Sequence, residues 1–187
     1  MKDLYTGIDG WFDMEIQYLE LLEFCPKGGT IVELGAYKGK STAFMAGQIK
    51  SQRRKVNFYT VDNFKGITPT STPLEVEVYK NLNGTLQAEF EANIEPLKDK
   101  VKLIVSDTDK AASLFENNSI DCIFIDAGHS YEAVKADLLA WLPKMKEQSI
   151  IAGHDYNPSW NGVIKAVNEV LGKPDKVENY CFFYYYI

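Results

Sequence analysis

Two rhythms of apolar residues alternate along this chain. Short apolar and β-branched runs, TIVEL (30–34), VNFYTVD (56–62), VKLIV (101–105), IDCIFID (120–126) and SIIAG (149–153), each predict a strand. Between them, apolar positions three and four apart predict helices over 13–24, about 41–49, about 84–98, from near Asp109, over about 131–142 and over 162–172. Pro26, Gly28 and Gly29 stop the first of these. Residues 66–83, with Pro69, Pro73 and a Thr/Ser cluster, predict an irregular segment, and CFFYYYI (181–187) a late strand. Apolar strands alternating with amphipathic helices make an α/β fold, a parallel sheet covered on both faces.

That architecture gives meaning to the ends of the strands, because ligands of open α/β sheets bind beyond their carboxyl edge. The fourth and fifth predicted strands end in the same tripeptide, as Asp126-Ala127-Gly128-His129 and Ala152-Gly153-His154-Asp155. These hold the only two histidines of the chain. Neighbouring strand ends bring both to one crevice. The first strand ends VELGAYKGKST (32–42). A P-loop needs four residues between its glycine and Gly-Lys-Ser, and Leu34 stands where that glycine belongs. A dinucleotide fingerprint is broken by Ala36-Tyr37. What remains is Glu-x-Gly-x-x-x-Gly. Glu33 can meet the polar tail of a zwitterionic ligand, and Gly35 and Gly39 let a ligand lie against backbone. Asp62, at the second strand end, can accept ribose hydroxyls or face solvent. Ser106, Asp107 and Thr108, at the third, can bond an adenine edge or cap the following helix.

Composition narrows the partners. The 187 residues carry a net charge of −6, which argues against nucleic-acid or anionic-membrane binding. The one basic cluster, Lys50, Arg53, Arg54 and Lys55, fits favourable charge at a helix C-terminus. Cys25, Cys122 and Cys181 show no metal or disulfide spacing. The N-terminus lacks the apolar core of a signal peptide, and no apolar run approaches the roughly 20 residues of a membrane span. A cytoplasmic, soluble protein is expected.

The residues VELGAYKGKST, Asp62 in TVDNFKG, SDT (106–108) and IDAGHSYEAVKADLLAWLPKMKEQSIIAGHDY (125–156) resemble the class I S-adenosylmethionine-dependent methyltransferases. The last stretch, followed by GVIKAV, is similar to the small-molecule O-methyltransferase branch that includes the macrocin O-methyltransferase-like enzymes. The resemblance covers roughly residues 28–172. It implies one Rossmann-like domain over 1–187, with an N-terminal helical segment (1–27), a cofactor-binding core (28–172) and C-terminal strands (173–187). Its sheet would have seven strands, mostly parallel, the last antiparallel. It implies S-adenosylmethionine held by Glu33, Gly35, Tyr37, Gly39 and Ser41, with ribose on Asp62 and adenine near Asp107 and Thr108.

It further implies a divalent metal on Asp126, His154 and Asp155, and His129 as general base, with Asp126 sharing in catalysis. An all-oxygen shell would suit magnesium, whereas His154 shifts the preference toward manganese, iron or zinc. The acceptor would be a small-molecule hydroxyl. Residues 66–83 and the aromatics Trp11, Phe12, Tyr156 and Trp160 can wall its pocket. Tyr184, Tyr185 and Tyr186 alternate faces and can serve a homodimer contact. A P-loop-like hydrolase and a non-catalytic ligand-binding protein are the rival readings.

Overall fold

The computed structural model describes residues 4–66, 71, 73, 76 and 84–186. Its strands are β1 (Thr30–Leu34), β2 (Asn57–Asp62), β3 (Lys102–Val105), β4 (Ile120–Ile125), β5 (Met145–Gly153), β6 (Lys176–Glu178) and β7 (Cys181–Tyr186). Its α-helices are α1 (Glu15–Phe24), α2 (Lys40–Ser51), α3 (Leu86–Ile94), α4 (Thr108–Ala111), α5 (Tyr131–Trp141) and α6 (Asn161–Val170). The strands form one seven-stranded sheet in the order β3-β2-β1-β4-β5-β7-β6. β1 through β5 run parallel to one another, and β7 lies antiparallel to both β5 and β6. This is the Rossmann-like sheet with a reversed last strand that the sequence resemblance implies.

The expected helix from near Asp109 is a single turn, and that over about 84–98 ends at Ile94, where a 3-10 stretch (Glu95–Lys100) begins with Pro96 in its first turn. Most of the expected irregular segment 66–83 lies outside the described residues. At Pro73 and Val76, where it is described, the backbone is helical. Among the described residues no helix is long and apolar enough to cross a membrane.

Period-2 alternation splits the strands between two cores. Val32 and Leu34 on β1 join Ile123, Ile125 and Ile151 against α5 and α6. Ile31 joins Phe58, Cys122, Phe124 and Ala152 against α1 and α2. A third cluster packs Ala36, Ala43, Phe64 and Phe90 at the corner of α2 and α3. The three cysteines are free and buried. Within the basic cluster, Arg54 donates to Leu22 O (2.6 Å) and Cys25 O (2.7 Å), so its charge finishes α1. Tyr184 and Tyr185 turn toward their own chain, their hydroxyls donating to Gly172 O and to Glu20 on α1.

Candidate functional site

Three strand ends, β1, β2 and β3, form one side of the crevice. Glu33 is 1% exposed and lies on the α1/α2 face of the sheet, since it alternates with Val32 and Leu34. Register sets it beside Thr60 on β2. Thr60 (2.6 Å), Thr42 on α2 (2.5 Å) and Tyr18 on α1 (2.9 Å) donate hydroxyl hydrogen bonds to its carboxylate. Burial raises its pKa, while these hydroxyls and that of Ser41 work the other way. Glu33 thus faces inward, is held by the protein's own hydroxyls and orders the start of α2.

Asp62 also serves the protein itself. Its Oδ2 accepts from Ala36 N (2.8 Å) and Tyr37 N (3.0 Å), and its Oδ1 from Phe64 N (2.7 Å). Tyr37 and Phe64 have left-handed backbones, with φ of 48° and 52°. For aromatic residues that geometry costs of order 1 kcal/mol or more. One carboxylate thus holds a strained residue in each of two turns bordering the crevice. Gly35 has φ 89°, and a Cβ there would stand 1.9 Å from Asp126 O. Its bareness makes room for the protein's own backbone. Gly39 begins α2, and Ser41 sits in its first turn.

At the β3 end, Asp107 accepts from Lys110, from Asn63 Nδ2 (3.1 Å) and from Lys65 Nζ (3.1 Å). These bonds hold its carboxyl well below the usual carboxylate range. Asn63 ties the β2 end to the β3 end. Thr108 opens α4, and its carbonyl accepts from Trp141 Nε1 at 2.9 Å.

The β4 and β5 ends bring the two Ala-Gly-His stretches together. Leu34 O receives Asp126 N (2.8 Å), and Ile125 O receives His154 N (3.0 Å), which sets the two turns side by side. Asp155 takes φ 60°, a left-handed turn that aspartate tolerates, and its side chain reaches back over the strand end. Its Oδ2 lies 2.7 Å from His129 Nε2 and 3.4 Å from His154 Nδ1. Asp126 Oδ1 is 3.6 Å from His129 Nε2. Burial favours the neutral acid at Asp155, but the two imidazoles outweigh it and hold the carboxyl well below its usual range. Burial lowers the His154 pKa, and Asp155, Asp126 and Asp13 more than compensate, raising it. Asp126, His154 and Asp155 each offer a ligand atom, all within 4.8 Å of one another, so this donor set fits a metal ion. Gly153 leaves space for Ile125 O and the Phe182 ring, which a Cβ would meet at 2.5 and 2.6 Å. Its small size serves packing of the sheet.

Of the expected pocket aromatics, Trp160 stacks on His129, with centroids 4.4 Å apart. Trp11 is 73% exposed beside Tyr37, at 5.9 Å. Phe12 packs into the α1/α2 core, and the Tyr156 hydroxyl donates to Asn168 (2.7 Å). Asp13, which sequence reasoning missed, sits 3.7 Å from His154 Nε2. It ends a strap that begins at Asp9, paired with Lys38 at 2.9 Å. Only fold-level proximity joins Asp13 to His154, and no local motif announces it.

Comparison with known proteins now bears on the site. The model of a family described as a methyltransferase domain matches residues 32–156, from β1 to the turn after β5. An uncharacterized protein, y4gI, of Sinorhizobium fredii is 26% identical over 125 residues, 67% of this chain. The chain spans 13% of that protein's length. The structure of the O-methyltransferase NovP superposes with a TM-score of 0.72 at 16% identity, covering 91% of this chain and 78% of NovP. CalS11, a TDP-rhamnose 3′-O-methyltransferase in calicheamicin biosynthesis, gives 0.62 at 19%, covering 92% and 77%. At these identities the two structures speak to the fold.

Proposed function

Because the chain belongs to the methyltransferase domain family matched over residues 32–156, we propose that it moves the methyl group of S-adenosylmethionine to a hydroxyl of a small molecule. The observation that carries this reading is the shared wall of the crevice. The turn at Gly35 lies directly against the Asp126 carbonyl, so the cofactor side adjoins the cluster of Asp126, His129, His154 and Asp155. NovP and CalS11, both O-methyltransferases, favour oxygen as the acceptor atom.

In this reading the sulfonium sulfur, its methyl carbon and the acceptor oxygen lie in line, and positioning supplies much of the acceleration. The C–S bond breaks as the O–C bond forms, leaving S-adenosylhomocysteine. The hydroxyl proton goes to the imidazole of His129. Asp155, at 2.7 Å, and Asp126, at 3.6 Å, then offset the imidazolium charge. Trp160, stacked on the ring, keeps it from swinging away. Asp126, Asp155 and His154 would hold a divalent ion, and their mixed oxygen and nitrogen donors suit manganese, iron or zinc better than magnesium. When bound there, the ion supplies Lewis acidity to the acceptor hydroxyl. Exposed Trp11 and the stacked Trp160 would flank the acceptor.

Calorimetry with S-adenosylhomocysteine, with and without a chelator, tests cofactor and metal separately. A panel of catechol and sugar-nucleotide acceptors with labelled S-adenosylmethionine then tests transfer. Binding in the absence of metal, together with transfer that stops on chelation, is the expected outcome. No binding of S-adenosylhomocysteine under either condition sinks the proposal.

A further inference from the structure

The two ring nitrogens of His154 face carboxylates from different parts of the chain. Nδ1 lies 3.4 Å from Asp155 Oδ2, within the candidate ligand set. Nε2 lies 3.7 Å from Asp13 Oδ1, on the strap. Nε2 is buried and has no hydrogen-bond partner among the described residues. A buried ring nitrogen left without a partner is uncommon in folded proteins and calls for an explanation.

Asp13 is held in place to be that partner. Phe12 and Met14, on either side of it, pack into the α1/α2 core, while its own side chain stays largely exposed. The turn between β6 and β7 is two residues long, Asn179 and Tyr180, both left-handed at φ 48° and 59°. That is the tight hairpin form. Asn179 Nδ2 donates to Asp13 O (2.7 Å), and Tyr180 O accepts from Tyr156 N (2.8 Å), one residue past Asp155. One tight turn therefore fixes both the strap at Asp13 and the segment that carries His154 and Asp155. A neutral imidazole that gives one nitrogen to a metal ion carries its proton on the other. Ligation through Nδ1, the nitrogen on the Asp155 side, puts that proton on Nε2, facing Asp13. A shift of roughly 0.5–1 Å brings the two to hydrogen-bond length.

We propose that Asp13 is a positioning residue: it accepts a hydrogen bond from Nε2 of His154 and so holds the ring to ligate through Nδ1, without touching the metal itself. This rests on the metal reading of Asp126, His154 and Asp155 above. It makes the strap part of the metal centre, although the strap lies outside the family segment, residues 32–156. Carboxylates behind metal-bound histidines fix the tautomer and make the ligating nitrogen more basic.

The test is calorimetry of the metal-free protein with zinc(II) and with manganese(II), and with S-adenosylhomocysteine as a control. Asp13→Ala is expected to weaken metal binding about 10–100-fold and to leave S-adenosylhomocysteine affinity unchanged. Asp13→Asn keeps an acceptor for the Nε2 proton and should recover most of that loss. Both variants keep the backbone bond to Asn179, so the melting temperature of the metal-free protein should match wild type. His154→Ala should also weaken metal binding, and adding Asp13→Ala to it should cost nothing further, because Asp13 acts through the ring. Imidazole ¹⁵N spectra of the zinc-bound protein, which has two histidines, give a readout independent of affinity. His154 should be ligated at Nδ1 and protonated at Nε2. Wild-type metal affinity in Asp13→Ala overturns the proposal, as do equal losses in Asp13→Ala and Asp13→Asn, additive losses in the double variant, or ligation through Nε2. Failure of the wild-type protein to bind either metal is a different result: it removes the metal reading itself, and the proposal with it, before any variant is compared.

Discussion

The two sides of the crevice use their carboxylates in opposite ways. At the ends of β1, β2 and β3, Glu33, Asp62 and Asp107 are each bonded by groups of the protein: three hydroxyls, three backbone amides, and two lysines with an asparagine. At the ends of β4 and β5, Asp126 and Asp155 face two imidazoles across a few ångströms, and the group has the spacing of a ligand set. The first side uses charge to shape backbone. The second leaves its charges facing one another, the arrangement that the proposed chemistry would use. Substitutions on the two sides should therefore fail differently, the first through fold and affinity together, the second through rate alone.

The largest expected effect lies on the second side. His129→Ala should lower the methyl-transfer rate by roughly 10²–10⁴-fold, with S-adenosylhomocysteine affinity nearly unchanged. Steady-state rates and calorimetry on the same preparation check this, and wild-type turnover limited by chemistry would remove the base assignment.

Asp137, 2% exposed on the inner face of α5, sharpens the comparison through stability when changed to asparagine. The folded pKa of Asp137, about 7, lies above its ordinary value of 3.8. Its contribution is therefore fully present below about pH 4 and is lost as pH rises through 7. Wild type should lose up to about 4 kcal/mol relative to the variant over that window, with no further change above it. Urea unfolding at several pH values measures the difference, and a difference that does not change with pH contradicts the burial argument.

Asp62→Ala comes next. It frees the amides of Tyr37 and Phe64 from their shared acceptor, and should cost roughly 1.5–3 kcal/mol in S-adenosylhomocysteine affinity. Melting temperature should fall with it by several degrees. Lost affinity with unchanged melting would instead mark Asp62 as a plain ligand contact.

The smallest effect is expected at the exposed end of the strap. Asp9→Asn breaks a surface pair with Lys38 and should change affinity and stability by less than about 1 kcal/mol. A larger loss of transfer rate would show that the strap's anchoring controls the reacting groups.

Much of this was legible in the chain. Five parallel strands and their order of chemistry followed from short apolar runs with polar residues at their ends, and the pairing of β4 with β5 placed both histidines together. The direction of Glu33 was not legible, because TIVEL is buried on both faces and alternation cannot say which core a side chain enters. The 2.7 Å approach of Asp155 to His129 depends on a left-handed turn that Ala-Gly-His-Asp does not announce. Asp137 did leave a trace. It interrupts the apolar stripe of Val134, Leu138 and Trp141, and a polar residue on such a stripe is a reason to look for its partner.

The contact between Gly35 and Asp126 bears on how such a protein can change over generations. Even a single methyl group at Gly35 would stand 1.9 Å from Asp126 O, and the bond from Asp126 N to Leu34 O leaves no slack to absorb it. The gap between the turn at Gly35 and the cluster of Asp126, His129, His154 and Asp155 is thus inherited with the sheet. On the proposed reading, drift in the strap around Trp11, or in the turn that carries Trp160, would alter which molecule is admitted. The distance a methyl group would travel stays the same.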